Sequence, residues 1–178
     1  MAFGDVPDRM AQVIDTPLGA MHAVLSVSGL HLLEFADRPG LARRIETLEA
    51  TLVHAPVVAS DLSIETLATQ LEEYFMGQRR SFPIKLAMAG SPFQMQVWRA
   101  LLKIPYGETL QYAAIAHKLG KPNASRAVGH ANGANPVSII VPCHRLVGSD
   151  GKLHGYGGGI QRKRALLQLE KASADHIS

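Results

Sequence analysis

Hydrophobic and polar positions alternate along the first 36 residues, and the alternation predicts three strands, Gln12–Thr16, Ala20–Val27 and Leu30–Phe35. Pro17-Leu18-Gly19 and Ser28-Gly29 supply the breaks that fold them into an antiparallel meander. The period then lengthens. Leu41, Ile45, Leu48 and Leu52, and again Ile64, Leu67, Leu71 and Phe75, recur at the spacing of amphipathic helices that would pack on the sheet. Ser81–Met88 reads as a further strand. His22 and His31 fall inside strands, where a packed or surface histidine is the expected reading, so this half shows no chemistry of its own.

Past Ala89-Gly90 the pattern changes. Ser91-Pro92-Phe93-Gln94 is a helix start, with Ser as cap, Pro in the first turn and Gln placed to close a capping box. That helix runs through Trp98 to about Lys103 and stops at Pro105-Tyr106-Gly107. Two short helices follow, Thr109–Leu119 and one capped by Asn123 that reaches about Ala134, with Gly120-Lys121-Pro122 between them. Helix, short glycine-containing turn and helix form the helix-turn-helix pattern. The second helix is built from Ala124, Ala127, Gly129, Ala131, Gly133 and Ala134, with Arg126 almost alone as a long side chain. Small residues let a backbone approach something closely, either a neighbouring helix or a minor groove about 6 Å wide. A β-branched run, Pro136–Val141, predicts a buried strand that delivers Pro142-Cys143-His144-Arg145 at its end. After a turn at Asp150-Gly151, the glycine-rich stretch His154–Gly159 leads into a last helix, Ile160–Lys171.

Charge divides at the same place as the pattern. Residues 1–90 hold seven Lys and Arg against eleven Asp and Glu, a balance of −4, and residues 91–178 hold eleven against four, a balance of +7. The second half therefore has the sign that attracts a polyanion, although a solvated basic surface would look the same. With 47% hydrophobic residues the chain can bury a real core. Its single cysteine excludes an internal disulfide and any paired-thiolate zinc site, so no metal is expected. The start, Met1-Ala2-Phe3-Gly4-Asp5, lacks the basic end and apolar run of a leader, no run suits a membrane span, and a cytoplasmic protein is expected.

A lone cysteine is either a small buried hydrophobe or a nucleophile. His144 and Arg145 beside Cys143 favour the nucleophile, since nearby base or positive charge is what makes thiolate available. In an extended strand the two neighbours would face opposite ways, and a bridging water would have to connect His144 to the sulfur. The glycine stretch is not a phosphate cradle, because it lacks the Gly-Lys-Ser/Thr ending. It is either a flexible surface loop or a space cleared for a flat ligand with Tyr156 as one wall.

Ser125-Arg126-Ala127-Val128-Gly129, Asn135-Pro136, Ile140-Val141-Pro142-Cys143-His144-Arg145 and Gly155-Tyr156-Gly157-Gly158-Gly159 together resemble the O6-alkylguanine-DNA alkyltransferases, over about residues 91–172. The resemblance implies an α/β fold in two domains: a small ribonuclease-H-like antiparallel sheet with helices over 1–90, and a mainly helical winged helix-turn-helix domain over 91–178. It implies irreversible transfer of an alkyl group from O6-alkylguanine, and also from O4-alkylthymine, to Cys143, after the base is flipped through the minor groove. His144 would be the base acting through water, Glu170 the carboxylate that orients it, and Asn135 a hinge. Arg126 would fill the stack, Tyr112 would rotate the target phosphate, the carbonyls of Cys143 and Leu146 would accept from the guanine amine, and Tyr156 would stack near the base. Gly157, Ala127 and Arg145 complete the implied DNA-facing set.

Two positions depart from the family pattern. Gly157 stands where many relatives have a serine able to donate to the guanine O6, which leaves that bond to a backbone amide and implies a roomier pocket. His130 replaces a small residue and is expected to face solvent. The implied partner is duplex DNA carrying the lesion, with no cofactor, no membrane and no obligate protein partner; cooperative self-association on DNA is left open. Two rival functions fit parts of the pattern. A lesion-binding protein without transfer would share the helix-turn-helix but not need Cys143, and a cysteine hydrolase would turn over many times where this chain should react once.

Overall fold

A computed structural model describes residues 10–52 and 63–175. The opening segment Met1–Asp5, read above as carrying no leader, lies outside the described residues. Three strands, β1 (Met10–Ile14), β2 (Met21–Ser26) and β3 (Gly29–Phe35), form the expected antiparallel meander in the order β1-β2-β3. Met21 pairs with Phe35 and Leu25 with Leu30, with a register shift between Val24 and Leu25. Gly29 closes the tight β2-β3 turn at φ 128, and a Cβ there would sit 2.3 Å from the Lys85 carbonyl oxygen. Only glycine meets both demands.

The two faces of β3 part company. Leu33 and Phe35 enter the main core, and Leu32 joins Val24 under helix α1 (Leu41–Leu52), whose Leu41 and Leu52 are buried there. Glu34 shares the α1 side of the strand with Leu32, two residues on, and is fully buried. Helix α2 (Ile64–Phe75) starts at Ser63, whose side chain accepts from the Thr66 amide, and buries Leu67, Leu71 and Tyr74 in the main core. Ser81–Met88 is not the strand predicted. It joins β3 only through an isolated parallel bridge at Leu86, with Leu30 N donating to Lys85 O and Ala87 N to Leu30 O.

Helix α3 (Pro92–Leu101) forms the predicted capping box, Gln94 N donating to Ser91 Oγ and Ser91 N to Gln94 Oε1. Its Trp98 is buried and donates from Nε1 to the Ala131 carbonyl at 2.8 Å. The predicted helix over 109–119 resolves into a two-residue strand β4 (Leu110–Gln111) and α4 (Tyr112–Lys118). Helix α5 (Ser125–Gly133) follows, but Asn123 does not cap it: the cap position is Ala124, which has no side-chain bond to give. Strand β5 (Leu146–Val147) pairs with β4 in parallel, and α6 (Ile160–Asp175) ends the described chain.

The largest correction concerns Pro136–Val141. Despite its β-branched residues it is a buried succession of turns, with Ile139 at φ 72 and one bridge, Val137 to Leu33 of β3. Leu33 N donates to Pro136 O and Ser138 N donates to Leu33 O, so the sheet grips the turn segment from one side. One apolar core runs unbroken from Ile14, Leu33 and Phe35 through Trp98 and Val128 to Cys143 and Leu166. No helix among the described residues is long and apolar enough to cross a membrane.

Candidate active site

Cys143, His144 and Arg145 form a single 3-10 turn instead of a strand end. With three residues per turn the side chains fan out in three directions, so the extended-strand argument for His144 and the sulfur does not apply. All three are buried, Cys143 at 3% and His144 at 0% exposure. What makes so turned a backbone tolerable in the core is Asn135. Its Oδ1 accepts from Val137 N at 3.0 Å, and its Nδ2 donates to Val141 O at 2.9 Å, Val137 O at 3.3 Å and Cys143 Sγ at 3.1 Å. One amide thus answers backbone groups that a strand would have paired with a neighbour.

Glu170, on α6, collects five hydrogen bonds. Tyr74 Oη and His144 Nε2 donate to Oε1 at 2.8 Å each, Arg145 gives one bond to each oxygen at 2.9 Å, and Gly107 N reaches Oε2 at 3.2 Å. Burial works to raise the carboxyl, but the hydrogen bonds from His144 and Arg145, with the arginine charge, outweigh it and hold the pKa far below the usual carboxylate range. Burial conversely lowers His144, so the ring is neutral at pH 7. An ionised Glu170 has no proton to give, so Nε2 carries the hydrogen and Nδ1 is left as a lone pair. That Nδ1 is buried and has no hydrogen-bond partner among the described residues.

Burial pushes the Cys143 thiol up to about 11, against the opposing bond from Asn135. A resting thiol of that pKa is ionised in only about one molecule in ten thousand at neutral pH. Labelling of Cys143 by iodoacetamide in DNA-free protein should therefore climb about tenfold per pH unit between about pH 7 and 10. A rate already level below about pH 9 would show a thiol far more acidic than this packing allows.

Other residues expected at the site fall in different places. Arg126, Ala127 and His130 are exposed on α5, and Arg126 and His130, with Tyr112, Gly129 and His154, border a cleft of about 840 Å3 that Ala127 does not line. Tyr112 Oη donates to His154 O at 3.1 Å. Tyr156 is buried at 8%. Arg145, expected to face DNA, is turned inward: it pairs with Glu170, donates from Nη1 to Ile104 O at 2.6 Å and lies over the Tyr106 ring. The Cys143 carbonyl, expected to await a guanine amine, already accepts from Asn132 Nδ2 and from Leu146 N, and Leu146 is buried in β5. Beside Gly157, where a roomier pocket was expected, the Arg38 guanidinium occupies the space a Cβ would take.

Sequence reasoning missed Tyr74, Lys163 and the Glu34, Arg38 and Arg44 group. Lys163 is buried, donates to His154 O at 2.7 Å and Tyr112 Oη at 3.4 Å, and is lowered by burial to about 8. A lysine at an inward position of α6 was the one available signal, since that residue is rarely buried without a purpose. Among the described residues no group of three His, Cys, Asp or Glu side chains gathers to hold a metal.

Residues 92–172 match the family model described as 6-O-methylguanine DNA methyltransferase, DNA binding domain. The chain is 60% identical over 105 residues to the methylated-DNA--protein-cysteine methyltransferase of Mycobacterium tuberculosis strain H37Rv, a stretch of 59% of this chain and 64% of that protein. It thus spans just under two thirds of that relative. It is 57% identical over 158 residues to the protein of the same name from Methanosarcina acetivorans, covering 89% of this chain and 96% of the relative. The crystal structure of Mycobacterium tuberculosis OGT in complex with DNA superposes with a TM-score of 0.77 at 42% identity, over 92% of this chain and 93% of that one. Matched along nearly the whole of a relative, with its cysteine turn inside the matched region, the chain belongs to the methylated-DNA--protein-cysteine methyltransferase family.

Proposed function

We propose that this chain repairs duplex DNA by moving the alkyl group of O6-alkylguanine to Cys143 Sγ, once per molecule. The observation that carries the reading is the neutral His144, whose Nε2–H is committed to Glu170 and whose Nδ1 is a free buried acceptor one residue from the only cysteine. In the step, the thiol proton passes to Nδ1, directly or through one water, and the sulfur attacks the alkyl carbon. A carbon–sulfur bond forms as the carbon–oxygen bond breaks, and the proton goes on to the guanine, which leaves unalkylated. Glu170 stabilises the imidazolium formed on the way. The product is a thioether with no easy leaving step, so the protein is consumed. By the same chemistry O4-alkylthymine is a second substrate.

An atom inside the base stack is out of reach of a buried thiol, so the nucleotide must be flipped out. The exposed Arg126 then takes its room, and the small residues of its helix suit the minor groove. α4 and α5 then act as the helix-turn-helix of a winged domain over residues 91–178, carried beside a ribonuclease-H-like sheet domain over 1–90. Tyr112 and Tyr156 help hold the extruded base.

The test is the intact mass of the protein after mixing with excess duplex carrying one O6-methylguanine, beside Cys143→Ala. The expected result is a gain of one methyl group, mapped to Cys143 and absent from the variant. Tight binding of the lesion with no gain in mass would replace this reading with lesion recognition alone, and repeated turnover would point to a hydrolase.

A further inference from the structure

Arg38 lies three residues past β3, far from the cysteine turn in sequence, yet its side chain is only 12% exposed and ends on the carbonyls of Gly133 and Asn135. Its Nη2 donates to Gly133 O at 2.5 Å and its Nη1 to Asn135 O at 3.3 Å, while Nη1 also pairs closely with Glu34. These carbonyls end α5 and begin the turn segment that Asn135 organises. Arg44 works alongside, bonding Glu34 at 3.0 Å and Ala134 O at 3.1 Å, and the second Glu34 oxygen accepts from Ser138 Oγ at 3.1 Å. A buried carboxylate thus aims two guanidinium groups at the carboxyl end of the helix, where cations are favoured.

On its other side Arg38 meets the glycine loop. A Cβ at Gly157 would lie 2.6 Å from the guanidinium carbon and 2.7 and 3.0 Å from its nitrogens. Gly157 is absent from the residues of positive φ, so its backbone conformation does not call for glycine. The close approach of Arg38 does. Burial and the Glu34 charge raise both Cys143 and Tyr156; against them stand Arg38 at both groups, Asn135 and Lys163 at the thiol, and Ser138 at the phenol, each favouring the ionised form.

We infer that Arg38 is a positioning residue for transfer to Cys143: it fastens the end of α5 and the Asn135 turn to the loop at Gly157, and residue 157 is glycine in order to receive it. This rests on the alkyl transfer proposed above. The bridge fixes the width of the acceptor site from the sheet side, and its Arg38 offsets the Glu34 charge at the thiol.

The test is single-turnover transfer from an O6-methylguanine duplex at saturating protein, with duplex affinity measured separately. Arg38→Ala and Gly157→Ala should each slow the saturated step about 10- to 100-fold, the range for losing hydrogen bonds to a charged group, with affinity changed by less than about threefold. Because both changes break one contact, the double variant should be no slower than the slower single. Arg38→Lys keeps the charge and loses the fork, so it should keep the wild-type pH dependence of the saturated step, whereas Arg38→Ala should move that dependence to higher pH. Single effects that multiply, or losses confined to affinity or thermal stability, would overturn the inference and leave the transfer reading standing. No transfer by the unaltered chain would overturn both.

Discussion

Glu170→Gln is expected to lower stability by about 3–5 kcal/mol, because it leaves buried cationic and polar groups facing a side chain that cannot answer them all. The carboxylate accepts five bonds. Glutamine keeps one acceptor oxygen and sets an amide donor against donors already aimed there by Arg145, Tyr74, His144 or Gly107. The pH dependence should change as well. The folded pKa of Glu170 lies far below that of a glutamate in the unfolded chain, so its contribution is whole above about pH 4.3 and is lost as pH falls from there towards the folded value. Urea unfolding at neutral pH and near pH 4 checks both parts. The variant should start lower and lose less on acidification; a variant as stable as the parent at neutral pH would contradict the role given to this carboxylate.

Asn135→Ala is the second substitution with a large expected effect, about 2–4 kcal/mol: Val137 N is left buried without a partner, while Val137 O and Val141 O each lose one bond and keep those from Val141 N and Cys143 N. It carries a chemical signature that general loosening would not. Asn135 gives the hydrogen bond that holds the Cys143 thiol down against burial, so the thiol should rise above its value of about 11 and label more slowly at every pH. A destabilised variant that labels faster would mean that the amide shields the sulfur more than it acidifies it.

Local signals carried a good deal of this molecule. The strand alternation, the capping box of Ser91 and Gln94, the spacing of Leu41 to Leu52 and the isolated Cys-His-Arg all sit within a few residues of the structure they specify. The link from His144 to Glu170 was reached through resemblance, and the geometry joins the two at 2.8 Å. Pro136–Val141 misled because β-branched composition reports burial more than extension, and here side chains of Asn135 and backbone of Leu33 replace the partners of a strand. Arg145 misled because the resemblance implied a DNA-facing role, while its ion partner lies 25 residues on in α6. Arg38 and Arg44 were invisible for the same reason at greater range: the carbonyls they bind are 90 to 97 residues away.

The grip of Leu33 on the turn segment also orders events during synthesis. Pro136 and Ser138 close onto a strand made more than a hundred residues earlier, and their backbone groups have no partner of their own until that strand is in place. The emerging chain therefore completes its meander first and holds it, one side still lacking the late residues Val137 and Val141, until the acceptor turn leaves the ribosome. Loop closure over that span is slow, so the segment that carries the nucleophile is enclosed late. A nascent chain halted before residue 136 should expose apolar surface to a hydrophobic dye, and one released past α6 should not. The bond from His144 to Glu170 likewise waits until α6 has been made.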